Sequence, residues 1–153
     1  MRWSKQLGVA LLGSVLLLVG YGSAACTTSN ASPGTLPADA ATVIRVVLSE
    51  WVVKPASVSI PAGKINFEVL NQGTTEHELV VLKTDLPLNA LKLTSDGTEV
   101  DEEASGPKEG DTEEIKVGDT KSEMLSLGSG HYVLICNLPG HYQQGMAASF
   151  EVK

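Results

Sequence analysis

The sequence predicts an all-β domain, a sandwich of two packed sheets, and three observations carry that expectation. Short runs of β-branched or alternating apolar residues recur over residues 42–153, clusters of Gly, Pro and Asn separate them, and only residues 88–93 carry a helical pattern. Short strands at such spacing suit a β-sandwich.

The chain of 153 residues holds one compact domain once its beginning is set aside. Arg2 and Lys5 make a charged start, the run from Leu7 to Tyr21 carries no charge, and Ser23-Ala24-Ala25 places small residues before Cys26. This order predicts a secretory signal peptide over residues 1–25. The apolar run is shorter than the roughly 20 residues that cross a bilayer comfortably, so a permanent membrane helix is the weaker reading. Cys26 sits where a bacterial lipoprotein carries its lipid, although Ser23 stands where a lipobox usually has Leu. Cleavage before Cys26 leaves either a lipid anchor or a secreted protein with a spare thiol, and export is common to both. Residues 26–41 are rich in Ser, Thr, Ala, Pro and Gly without an apolar period, the composition of a flexible tether.

From residue 42 the β pattern begins. Val43-Ile44-Arg45-Val46-Val47-Leu48 is a β-branched run, Ser57-Val58-Ser59-Ile60 alternates, and Pro61-Ala62-Gly63 turns the chain. Ile65-Asn66-Phe67-Glu68-Val69 alternates again, Asn71-Gln72-Gly73 breaks it, and a strand is expected over His77-Glu78-Leu79-Val80-Val81-Leu82. Two more are expected over residues 132–136 and 147–152, the first led in by Gly128-Ser129-Gly130. Residues 85–119 read as a short helical or irregular acidic excursion from the sandwich. Between Asp96 and Glu114 nine acidic residues face Lys108 alone, the pattern of a solubilising loop or of a steering surface.

Removing residues 1–25 takes away Arg2 and Lys5 and no acid, which leaves nine basic against 18 acidic residues, a formal charge of −9. That balance argues against nucleic acid as a partner. With two cysteines, a disulfide would have to join Cys26 in the tether to Cys136 in a strand pattern. An unpaired Cys136 in an exported domain is exposed to oxidation unless something protects it, and a bound metal does so by holding it as a thiolate.

The stretch Cys136-Asn137-Leu138-Pro139-Gly140-His141-Tyr142-Gln143-Gln144-Gly145-Met146 is a Cys-x4-His-x4-Met pattern between two expected strands. Pro139-Gly140 turns the backbone, so thiolate, imidazole and thioether converge. His77 supplies a second imidazole from another strand. Two imidazoles, one thiolate and a weak axial Met suit a copper ion moving between Cu(I) and Cu(II). Zinc prefers tetrahedral closure by strong ligands and binds a given site less tightly than divalent copper. The metal-binding set expected is therefore His77, Cys136, His141 and Met146. His131 precedes Tyr132 on a strand where Tyr132, Leu134 and Cys136 share a face, so it is expected to point the other way, into solvent.

At Cys136-x-x-Pro139-Gly140-His141-x4-Met146 the sequence resembles the cupredoxins, the type 1 blue copper proteins, and within them the auracyanin, rusticyanin and sulfocyanin types. The likeness runs over about residues 42–153 and takes in Asn71-x-Gly73 ahead of His77 and Gly130-x-Tyr132 ahead of Cys136. It implies a Greek-key β-sandwich with copper near one end, ligated by the same four residues, and a one-electron carrier for redox proteins such as a cytochrome or terminal oxidase complex. It also implies that the His141 ring edge meets the partner, with Leu138 and Pro139 beside it. Glu78 departs from the pattern, because several relatives carry Asn or Ser after the first histidine. Glu76 and Glu78 thus raise a red-copper (nitrosocyanin-like) site as an alternative, against which strand alternation turns both acids away from His77. A copper-delivery module is a further alternative. Catalysis of the multicopper kind needs more histidine than His131 provides, so the chain reads as a carrier, not an enzyme, and as a monomer.

Overall fold

In the computed structural model, residues 40–153 are described. The expected signal peptide, Cys26 and nearly all of the tether lie outside them. Nine strands and one helical turn follow in order: β1 Thr42–Ser49, β2 Val52–Pro55, β3 Ser59–Ile60, β4 Gly63–Asn71, β5 Val80–Lys83, α1 Glu102–Ser105, β6 Lys108–Asp111, β7 Thr120–Leu127, β8 Gly130–Ile135 and β9 Ala147–Val152. They form a four-stranded sheet, β2-β1-β4-β7, and a five-stranded sheet, β3-β9-β8-β5-β6. β1 runs parallel to β4 and β3 parallel to β9, and the other pairs are antiparallel. This is the expected Greek-key sandwich.

Alternation builds the core between the sheets. On β1, Ile44, Val46 and Leu48 are buried while Val43 and Arg45 face solvent, and on β4 Ile65, Phe67 and Val69 are fully buried. Opposite them stand Leu79 and Val81, then Tyr132, Leu134 and Phe150, with the Phe67 and Phe150 rings meeting edge to face at 5.5 Å. Burying an aromatic or aliphatic side chain of this kind contributes about 1.5–3 kcal/mol.

β5 and β8 are apolar on both faces, and the structure supplies the reason. Val80, Leu82, Val133 and Ile135 point out of the sandwich and are covered by Leu91 and Val100, with Leu86, Leu88 and Tyr142 packed against them. The acidic excursion is therefore also a lid over the outer face of the second sheet. Two expectations change with it. Residues 88–93 form no helix, because Leu91 and Leu88 are spent on that outer face, and the helical turn falls at Glu102–Ser105, where the Asp101 side chain accepts from the Ala104 N–H. The excursion also ends early: Lys108–Asp111 rejoins the second sheet as its edge strand beside β5.

Candidate metal centre

At one end of the sandwich the chain brings together three donor atoms. His77 Nδ1 and His141 Nδ1 stand 3.2 Å apart, and Cys136 Sγ lies 3.2 Å from the His141 nitrogen and 3.8 Å from the His77 nitrogen. Among the described residues, these three form the group of His, Cys, Asp or Glu side chains able to share an ion. Donors bonded to one first-row ion at roughly 2.0–2.3 Å stand about 3–4 Å apart, so the spacing fits a single metal held by all three. A close trio of nitrogens and sulfur with little else to bond is otherwise a poor use of a buried space.

His77 sits on neither side of a long strand. It follows β4 and pairs with Ile115 through a single bridge, with His77 N–H donating to Ile115 O at 3.2 Å and Ile115 N–H to His77 O at 2.6 Å. Asn71 stitches this approach: its amide donates to Thr75 O and to Ile115 O, both at 2.8 Å, while its side-chain oxygen accepts the Gly73 N–H at 2.8 Å. That is the physical content of the Asn71-x-Gly73 pattern. A Cβ on Gly73 would meet Glu50 Oε1 at 2.6 Å and His77 Nε2 at 2.7 Å, so only glycine permits the approach.

Cys136 leaves the end of β8, fully buried, and its N–H donates to Met146 O at 3.1 Å, while Met146 N–H donates to His141 O at 3.2 Å. The backbone of the loop thus closes on itself around the three side chains. Gly140 adopts φ +83°, the conformation a Pro-Gly turn requires, and Gly145 adopts φ +112°. Met146 is fully buried. Burial pushes the Cys136 thiol up to about 11, while the Glu78 N–H, 3.4 Å from Sγ, acts the other way. Burial, and then the neighbouring His77, hold His141 below the ordinary imidazole range, which keeps the ring neutral and its lone pair available.

Glu76 is exposed, and Glu78 is turned to the loop, where its Oε1 accepts the Asn137 N–H at 3.2 Å. Burial raises the Glu78 carboxyl above its usual range, offset by that N–H. Neither acid joins the trio, and the carboxylate at position 78 instead ties the start of the 136–146 loop through Asn137. Asn137 in turn grips Val100 from both sides, accepting its N–H at 2.7 Å and donating to its carbonyl at 3.1 Å. His131 is exposed, as the alternation on β8 requires.

Two neighbours of the trio carry no motif. Trp51, 42 % exposed, sets its ring edge on to the His141 ring with centroids 5.2 Å apart. Glu50, before it, reaches the far side of His77. Both come from the turn between β1 and β2, and the only signal for them was a tryptophan in an otherwise short polar break.

A family model described as the sulfocyanin (SoxE) domain matches residues 54–153. Among solved structures, the chain is similar to a dithionite-reduced auracyanin of Roseiflexus castenholzii, at 22 % identity and a TM-score of 0.57 over 74 % of this chain and 98 % of that one. Auracyanin A of Chloroflexus aurantiacus, described as a "blue" copper protein, aligns at 16 % identity with a TM-score of 0.53 over 74 % of this chain and 100 % of its own. Reduced rusticyanin aligns at 19 % identity with a TM-score of 0.51, over 74 % and 81 %. No curated protein matches the sequence.

Proposed function

Because this chain belongs to the sulfocyanin (SoxE) domain family, and so to the cupredoxins, we propose that it is an exported one-electron carrier in which His77, Cys136, His141 and Met146 hold its copper. The family and the donor set support one copper ion. When bound, that ion supplies a one-electron couple between Cu(I) and Cu(II).

The observation that carries the residue assignment is the convergence of two Nδ1 atoms and one thiol sulfur within 3.8 Å of one another. Their protein supports are unlike: β8 and the closed loop hold Cys136 and His141, and the Ile115 bridge holds His77. Donors anchored to a packed sandwich move little when an electron arrives or leaves, which keeps the reorganisation small. His141, half-buried beside the exposed Trp51, gives the short path to the surface. A small apolar contact there suits brief docking to a redox protein such as a cytochrome or terminal oxidase complex. The formal charge of −9 after residues 1–25 favours a positively charged partner. We read the protein as a monomer and as a carrier, not an enzyme.

Export rests on the signal pattern of residues 1–25, followed by the 26–41 tether and the 42–153 domain, with Cys26 as the candidate lipid site. Among the described residues no helix is long and apolar enough to cross a membrane. The test is to add Cu(II) to the purified protein and record its visible and electron-spin spectra. An intense blue thiolate band is expected, and its absence would sink the assignment.

A further inference from the structure

Parallel pairing of β1 with β4 sets Leu48 opposite Asn71, so two residues on, Glu50 comes against Gly73. Its oxygen Oε1 accepts the backbone N–H of Thr74 at 2.6 Å and of Thr75 at 3.0 Å, and the two threonine hydroxyls donate to it at 3.3 and 3.4 Å. The same oxygen lies 3.4 Å from His77 Nε2. That distance is long for a hydrogen bond. Yet His77 is fully buried, and Nε2 has no hydrogen-bond partner among the described residues. A buried ring nitrogen with a carboxylate as its polar neighbour, and with glycine at 73 to allow the approach, asks for a reason.

We infer that Glu50 is a positioning residue for the metal centre: its carboxylate keeps the His77 proton on Nε2, leaves Nδ1 free toward Cys136 and His141, and favours Cu(II) over Cu(I). This rests on the reading of His77 as a copper ligand. A neutral imidazole carries one proton, and an acceptor facing Nε2 decides which nitrogen keeps it. The backbone geometry leaves the acid little choice of place, since two N–H groups hold the one oxygen that faces the ring. Hydrogen bonds from two backbone N–H groups to one oxygen favour the charged form of the carboxylate. A fixed negative charge behind a ligand stabilises the more positive oxidation state. Glu50 lies before the matched span of residues 54–153.

The test uses the copper-loaded protein. Glu50→Gln keeps an oxygen for the Thr74 and Thr75 N–H groups and removes the charge. It should raise the reduction potential, changing the Cu(I)/Cu(II) ratio at fixed poise about tenfold, which is about 59 mV for one electron. In the reduced, diamagnetic form the His77 Nε2–H resonance should move upfield. Glu50→Ala should weaken Cu(II) binding by roughly 10- to 100-fold. If Glu50→Gln kept full colour with its potential and Nε2–H resonance unchanged, the positioning role would be overturned and the copper site would stand. A loss of stability alone, with the same potential, would likewise reduce Glu50 to a loop tie. A wild-type protein that develops no thiolate colour removes the ligand assignment, and this role with it.

Discussion

His77 and His141 offer the same atom to the same point, yet the regions that hold them differ in nearly every other respect. The 71–77 segment seals its histidine: His77 is fully buried, Asn71 crosslinks the backbone, and a carboxylate stands behind the ring. The 136–146 loop is tight in its backbone but open at its surface, with His141 half-buried under the edge of Trp51. On the copper reading proposed above, the contrast separates two duties, retaining an ion and exchanging an electron, between two parts of one site. Cys136 belongs to both, since its sulfur faces each imidazole and accepts from the Glu78 N–H.

The largest effect should come from the shared residue. Cys136→Ser removes the soft thiolate and should abolish the blue band entirely, whichever region holds the ion, as read from the absorption spectrum after copper loading. Next comes the sealed side: Gly73→Ala forces a Cβ against Glu50 and His77 and should cost about 1–3 kcal/mol in chemical denaturation, with weaker copper retention. A Gly73→Ala protein as stable and as tightly loaded as wild type would break the contrast.

The pH dependence of copper uptake follows with its sign fixed. The Cys136 thiol, raised to about 11 by burial, is protonated at neutral pH, and that proton must leave before the sulfur can bind metal. Apparent affinity should therefore rise with pH, about tenfold per unit up to the thiol's own range, in a competition titration at pH 6 and pH 7. The smallest effects sharpen the open side. Trp51→Ala should slow electron exchange with a basic redox protein at every ionic strength, whereas neutralising the exposed Glu103 and Glu114 should slow it mainly at low salt. Rates indifferent to salt and to both acids would leave the excursion without a steering role.

The difference between the two regions also decides what was legible in the sequence. The open loop carries three proposed ligands within a few residues, so spacing alone exposed it. Glu50 and Trp51 reach the site only because β1 and β4 run parallel and end together, a pairing that no local pattern records. The apolar runs of β1, β4 and β9 were plain because alternation there serves one core, and β8 was plain because it is apolar on both faces. β6, Lys-Glu-Gly-Asp, is an edge strand without a buried face, and β7 buries only Leu125 and Leu127, so neither announced itself. β2 was hidden by its brevity. His77 was expected within a strand, but β5 starts at Val80, because the Ile115 bridge replaces a ladder there.

The lid over the second sheet has a consequence for how the chain tolerates change. Tyr142 of the ligand loop donates to Leu88 O and accepts the Leu91 N–H at 3.3 Å, Gly140 N–H donates to Thr98 O at 2.7 Å, and Asn137 clasps Val100. Surface loops usually absorb insertions and deletions freely. Residues 88–100 do not have that freedom, because altering their length would drag on the segment that carries Cys136, His141 and Met146. A shortened 88–100 segment should therefore show itself first as a retuned potential, before any loss of solubility.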